Sequence, residues 1–165
     1  PIMRVWARAT AIALIVIMSE SAVAQPIAVC QDTVAQLNGN GQASIAFFDV
    51  DGGSSAFQSS TVSPSSFTCT NVGDNSVTLT VTDISGSSTT CQATVTVEDN
   101  VAPIAICQNI PNLQLNAAGN AAITASDIDN GSNDNCDFTL AIDASTFDCT
   151  NVGTNNVVLT ATDAS

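Results

Sequence analysis

The chain says the same thing twice. PIAVCQ at 26–31 returns as PIAICQ at 103–108, FTCTNVG at 67–73 returns as FDCTNVG at 147–153, and VTLTVTD at 77–83 returns as VVLTATD at 157–163. A string repeated in this way must fold in the same way both times. The offset grows only from 77 residues at the first match to 80 at the last two, which is the size of one immunoglobulin-like module. Solenoid repeats of the ankyrin or tetratricopeptide type are under half that length, so a stack of helical hairpins is excluded.

Within each copy the signal is one of strands. Ser76–Thr82 and Gln92–Val97 alternate apolar residues with polar ones, mostly Thr, and period two turns Val77, Leu79, Val81, Val95 and Val97 to a buried face with the threonines outward. The polar connection 84–88 contains Gly86 and reads as a hairpin turn between two antiparallel strands. Further strands are predicted over 27–30, 33–37, 43–48, 57–63 and 66–69, with a turn at Asn38–Gly41, and no segment carries a helical period. Some seven short strands per copy predict an all-β chain of tandem immunoglobulin-like sandwiches. Copy one is expected over 25–99, a linker over 100–103, where Pro103 stiffens the joint, and copy two over 104–165. Asp163 aligns with Asp83, so copy two has no counterpart of 86–99 and lacks its last strand. That leaves a predicted open edge, and the expectation that the natural protein continues through further copies.

The first 24 residues read as a secretory signal peptide. Arg4 and Arg8 precede an apolar run from Ala9 to Met18, and Ala22-Val23-Ala24 supplies the small residues of a cleavage site. The run is too short for a membrane span, since Ser19, Glu20 and Ser21 interrupt it. Those two arginines are the only basic residues, and there is no His. Removing the leader takes away two positive charges and one negative, so the formal net charge goes from −13 to −14. A chain without cations cannot displace counterions from phosphate, which excludes nucleic acid and anionic membrane as partners.

The same residues carry a family resemblance. A Cys at the first strand, an Asn/Asp/Gly-rich loop (DVDGGSS, DIDNGSNDNC), F-x-C-T-N-V-G, V-T-L-T-V-T-D and T-C-Q-A-T-V-T-V-E-D resemble hyalin-repeat (HYR-like) modules. The resemblance covers 26–165 and implies tandem sandwiches in large secreted or surface proteins of Bacteroidota-type bacteria, with a spacer, matrix or adhesion role. It also implies a bridge between Cys30 and Cys91, the pair that an immunoglobulin-like sandwich brings together by starting its first strand and its last at one end. Cys136 and Cys149 are expected to close a local hairpin in copy two, leaving Cys69 without a partner and Cys107, the counterpart of Cys30, with its expected partner beyond Ser165. A rival pairing of Cys30 with Cys69 and Cys107 with Cys149 uses only positions present in both copies.

Two places offer metal ligands. The loop 127–137 brings Asp127, Asp129, Asp134 and Asp137 together with several Asn around Gly131, the oxygen-only set that Ca²⁺ takes, although the EF-hand spacing fails for want of a Glu. Glu98, Asp99 and Asn100 precede Ala102-Pro103 and resemble the calcium linkers of cadherin-type tandem modules. The competing reading is that Asp, Asn and Gly serve only as turn residues. No cofactor is required by anything in the sequence, and Ca²⁺ is the one its donors admit. Catalysis has little to work with. Without His or Lys there is no general base but a carboxylate, no cation to activate a Cys, and beyond the leader no Trp or Tyr to stack on a sugar. The sequence therefore predicts a secreted, non-catalytic structural or adhesive repeat whose partners are other copies of itself. The alternative is a Ca²⁺-dependent module for cell-surface or matrix polysaccharide.

Overall fold

The computed structural model describes residues 24–165, so the leader expected over 1–24 lies outside the described residues except for Ala24. Copy one runs β1 (Thr33–Gln36), β2 (Gln42–Ser44), α1 (Phe47–Val50), β3 (Ser59–Ser63), β4 (Ser66–Thr68), a 3₁₀ turn (Cys69–Asn71), β5 (Gly73–Thr82) and β6 (Ser88–Glu98). Its main sheet has the order β1-β6-β5-β3, and β2 pairs separately with β4. β5 and β6 form a ten-pair antiparallel ladder from Gly73↔Val97 to Thr82↔Ser88. Their alternation does what period two requires: Val77, Leu79, Val81 and Val95 are fully buried and Val97 nearly so, while the threonines between them are half-exposed. Phe67 of β4, Val50 of α1 and Leu37 close over this face, completing the core of copy one. β1 lies parallel to β6, Thr33 to Gln36 opposite Val95 to Glu98.

Two expectations are corrected here. The strand expected over 43–48 stops at Ser44, and Phe47–Val50 is a single helical turn. Four residues are too few for a helical period to show, and what fixes the turn is local: the Asp49 carboxylate accepts from Ala46 N–H at 2.7 Å. The segment 27–30 makes only isolated bridges, Ile27 with Ser55 and Cys30 with Asp51.

Copy two repeats the plan with β7 (Asn120–Ala122), α2 (Ala125–Ile128), β8 (Phe138–Ile142), β9 (Thr146–Asp148), a 3₁₀ turn (Cys149–Asn151) and β10 (Leu159–Asp163). β10 pairs with β8 and β7 with β9. In copy one the half of β5 from Gly73 to Val77 is paired only with β6, whereas Thr78 to Thr82 are also held by β3. The matching half in copy two, 153–157, is not a strand. Nor is 110–113, the counterpart of β1, a strand. The core of copy two consists of Ile123, Ile128 and Leu159, and Val158, the counterpart of the outward-facing Thr78, is exposed.

Candidate functional site

The two copies differ most where they meet. Ser55 and Asn133 make equivalent bridges at an offset of 78, and Ser59 and Thr139 equivalent strand pairs at 80. Copy two is thus two residues longer between them, and the longer segment contains Asp134, Asn135 and Cys136. This loop reaches into copy one. Asn135 donates through Nδ2 to the carbonyl of Asn38 at 3.3 Å and to Asp99 Oδ1 at 3.0 Å, and Cys136 packs on the copy-one core.

Cys136 is bonded to Cys69, with Cα atoms 5.5 Å apart. Cys69 opens the 3₁₀ turn of C-T-N-V-G, where Asn71 Oδ1 accepts from Thr68 N–H at 2.9 Å and Asn75 Nδ2 donates back to the Asn71 carbonyl. The repeated motif therefore holds a cysteine at a set angle beside the β2 turn. Gly41 is the floor of the joint: at φ +69° a Cβ there would lie 2.5 Å from Cys69 Sγ and 2.8 Å from the Asn135 carbonyl oxygen. The expected Cys136–Cys149 hairpin and the unpaired Cys69 are thus corrected, as is the rival pairing of Cys30 with Cys69 and Cys107 with Cys149. The two extra residues turn Cys136 toward copy one, and Cys149 stands where Cys69 does in its own copy, an exposed thiol 3.8 Å from the Gly119 carbonyl. Cys30 and Cys91 are bonded to each other, 61 residues apart in sequence, and Cys107 is free and exposed.

Beside the bridge, Asp99, Asp134 and Asp163 bring one carboxylate oxygen each within 4.8 Å of the others. Asp99 follows β6, Asp134 lies on the longer loop, and Asp163 ends β10, so the cluster takes ligands from both copies. Asp99 is 7% exposed. Its Oδ1 accepts from Val101 N–H at 3.1 Å and from Asn135 Nδ2, while Oδ2 is buried and without a donor. Asp134 repeats the arrangement, with Oδ1 taken by Asn135 N–H at 2.8 Å and Oδ2 buried and unpartnered. Asn135 Oδ1 is a third buried oxygen without a donor. Asp163 accepts at Oδ1 from the backbone N–H and hydroxyl of Ser165, which hold its carboxyl below the ordinary carboxylate range. Two like charges at that separation repel by roughly 1 kcal/mol in water and about 3.5 kcal/mol at an effective protein dielectric of 20. No Lys, Arg or His among the described residues offsets this. The donors are all oxygen, a set for a hard divalent cation rather than for zinc or copper.

The remaining residues of the two expected calcium sets are otherwise engaged. Glu98 accepts from Gln36 Nε2 at 2.6 Å, and Asn100 donates to Gln36 Oε1 at 2.6 Å, so both are tied to β1. Asp127 caps α2 by accepting from Thr124 N–H and Oγ1, and Asp129 accepts from Ser132 N–H. Asp49 and Asp51 do the same work in copy one, so the turn reading holds for this pair. Asp137 is exposed. Asp163 belongs to neither expected set; its counterpart, Asp83, serves the β5–β6 turn, where it accepts from Ser85 and Ser87 N–H. Two open grooves, of about 320 and 340 Å³, lie over β2–β4 and β7–β9. They are the same feature of the fold twice over and bring no reactive group together.

No family model, no curated protein and no solved structure matches this chain.

Proposed function

We propose that the chain is a secreted or cell-surface structural repeat, a pair of immunoglobulin-like sandwiches of the hyalin-repeat kind its motifs resemble. It spaces or ties together parts of an extracellular assembly and catalyses nothing. The observation that carries this reading is the Cys69–Cys136 bridge. A disulfide from one copy to the next contributes to no pocket; it fixes how the copies sit on each other, which is what a spacer needs. Two disulfides fit an oxidising, extracellular setting. No helix of the described residues is long and apolar enough to cross a membrane.

The partners of such a module are further copies of itself, in one chain or in neighbouring ones. The competing reading, Ca²⁺-dependent binding of a polysaccharide, needs an exposed cation whose open coordination positions face the sugar. The acidic set here lies between the copies, with Asp99 buried and Asp134 and Asp163 partly so, so a cation held there serves structure. The test is a glycan array and a polysaccharide pull-down of the exported chain, with Ca²⁺ and with chelator. Silence in both supports the structural reading, and saturable glycan binding in either replaces it.

A further inference from the structure

We propose that Asp99, Asp134 and Asp163, with Asn135, form a calcium site that closes the joint between the copies. The proposal rests on the structural reading and names what completes it. Three carboxylates from three separate segments converge within 4.8 Å, and each gives one oxygen to a protein donor. Of the oxygens left over, Asp99 Oδ2 and Asp134 Oδ2 are buried and have no donor, as is the side-chain oxygen Oδ1 of Asn135. A buried anionic oxygen without a partner is expensive, and two of them beside an unpartnered amide oxygen, in a chain without basic residues there, call for a positive charge from outside.

Ca²⁺ fits better than Mg²⁺ because it accepts six to eight oxygens in irregular geometry, filling from carboxylates, amides and water, whereas Mg²⁺ demands a strict octahedron and gives up its water reluctantly. Asp99 comes from copy one and the other three residues from copy two, so the ion crosslinks the copies beside the Cys69–Cys136 bridge and draws down the charge at their contact. The two-residue lengthening of copy two supplies Asn135 and Cys136 together, so bridge and ion site arise from one change in the repeat.

Calorimetric titration of CaCl₂ into the decalcified, oxidised chain is expected to show one site per chain with a Kd between about 10⁻⁶ and 10⁻³ M, and Mg²⁺ binding at least about tenfold weaker. D134N and D163N are each expected to weaken Ca²⁺ by about tenfold or more, while D137N, an exposed neighbour outside the cluster, leaves it unchanged. Independently of any variant, Ca²⁺ must shift the Asn135 side-chain amide and the Val101 N–H in ¹⁵N-resolved NMR spectra. No heat and no shift at millimolar Ca²⁺ would mean that water alone fills the cluster, and would overturn the proposal. So would binding unchanged in both D134N and D163N. Such a failure leaves the disulfide-linked spacer standing, and glycan binding would overturn the spacer without touching the titration.

Discussion

Gly41 is the residue on which the joint bears most directly. Its φ of +69° disfavours any side chain, and the space a Cβ would take is already held by Cys69 Sγ and the Asn135 carbonyl. Gly39, two residues earlier in the same turn, has nothing within 4 Å of a built Cβ. G41A is therefore expected to cost about 1–3 kcal/mol in urea unfolding, and G39A to stay within about 0.5 kcal/mol. Equal effects would show that the turn, and not the crowding at the bridge, sets the cost. The carboxylates make a second residue-scale case. Asp51 is held low chiefly by the Ser54 hydroxyl, Asp83 by that of Ser85, Asp129 by that of Ser132 and Asp148 by that of Thr150, while for Asp127 and Asp163 the backbone N–H of Thr124 and Ser165 leads. A folded-state pKa below the unfolded value of about 3.9 gives stability that is present above that pH and lost as pH falls through the folded values. Thermal stability is thus expected to decline once pH drops below about 4. A melting temperature still rising at pH 2 would show that relief of self-repulsion among the acidic groups outweighs these turns.

At the scale of elements, β5 and β6 carry copy one. Leu79 is fully buried at the middle of their ladder, opposite Cys91, while Thr78 beside it faces the other way and is half-exposed. L79A is expected to cost about 2–5 kcal/mol and T78A under about 1 kcal/mol, read from denaturant midpoints at unchanged slope. This hairpin was legible in the sequence because a half-buried antiparallel pair writes its pleat directly as alternation. The turns α1 and α2 were not, since their four residues hold no period and are made by Asp49 and Asp127 capping their own first turn. The joint was legible only in pieces. Asp99 and Asp134 stood in two separate candidate sets, and the drift of the offset from 77 to 80 marked the lengthened loop without saying what it reached. Asp163 stood in neither set, and only the seating of β10 against the end of copy one makes it a neighbour of Asp99. Contacts between repeats are set by packing of whole copies, and no local pattern encodes that.

At the scale of the whole molecule, the two copies contribute unequally among the described residues. Copy one has ten buried residues in its core and its own bridge, Cys30–Cys91, while copy two has three and holds its free thiols Cys107 and Cys149 at the surface. By the chain-entropy argument each 60-to-70-residue disulfide loop contributes roughly 4 kcal/mol, so much of what keeps copy two folded comes through Cys69–Cys136 and the seating it enforces. The C69S/C136S double variant removes that crosslink without leaving an odd thiol. Amide exchange is expected to show protection falling sharply in β8 and β10 while β5 and β6 keep theirs, because the buried residues of copy one's core all belong to copy one and Cys136 packs only at its margin. Non-reducing peptide maps of the unaltered chain should link Cys69 to Cys136 and Cys30 to Cys91, with alkylation at Cys107 and Cys149. A map joining Cys136 to Cys149, or exchange that rises equally in both copies of the double variant, would mean that the copies stand or fall separately from this bridge, and the joint would lose its place as the unit on which the spacer is built.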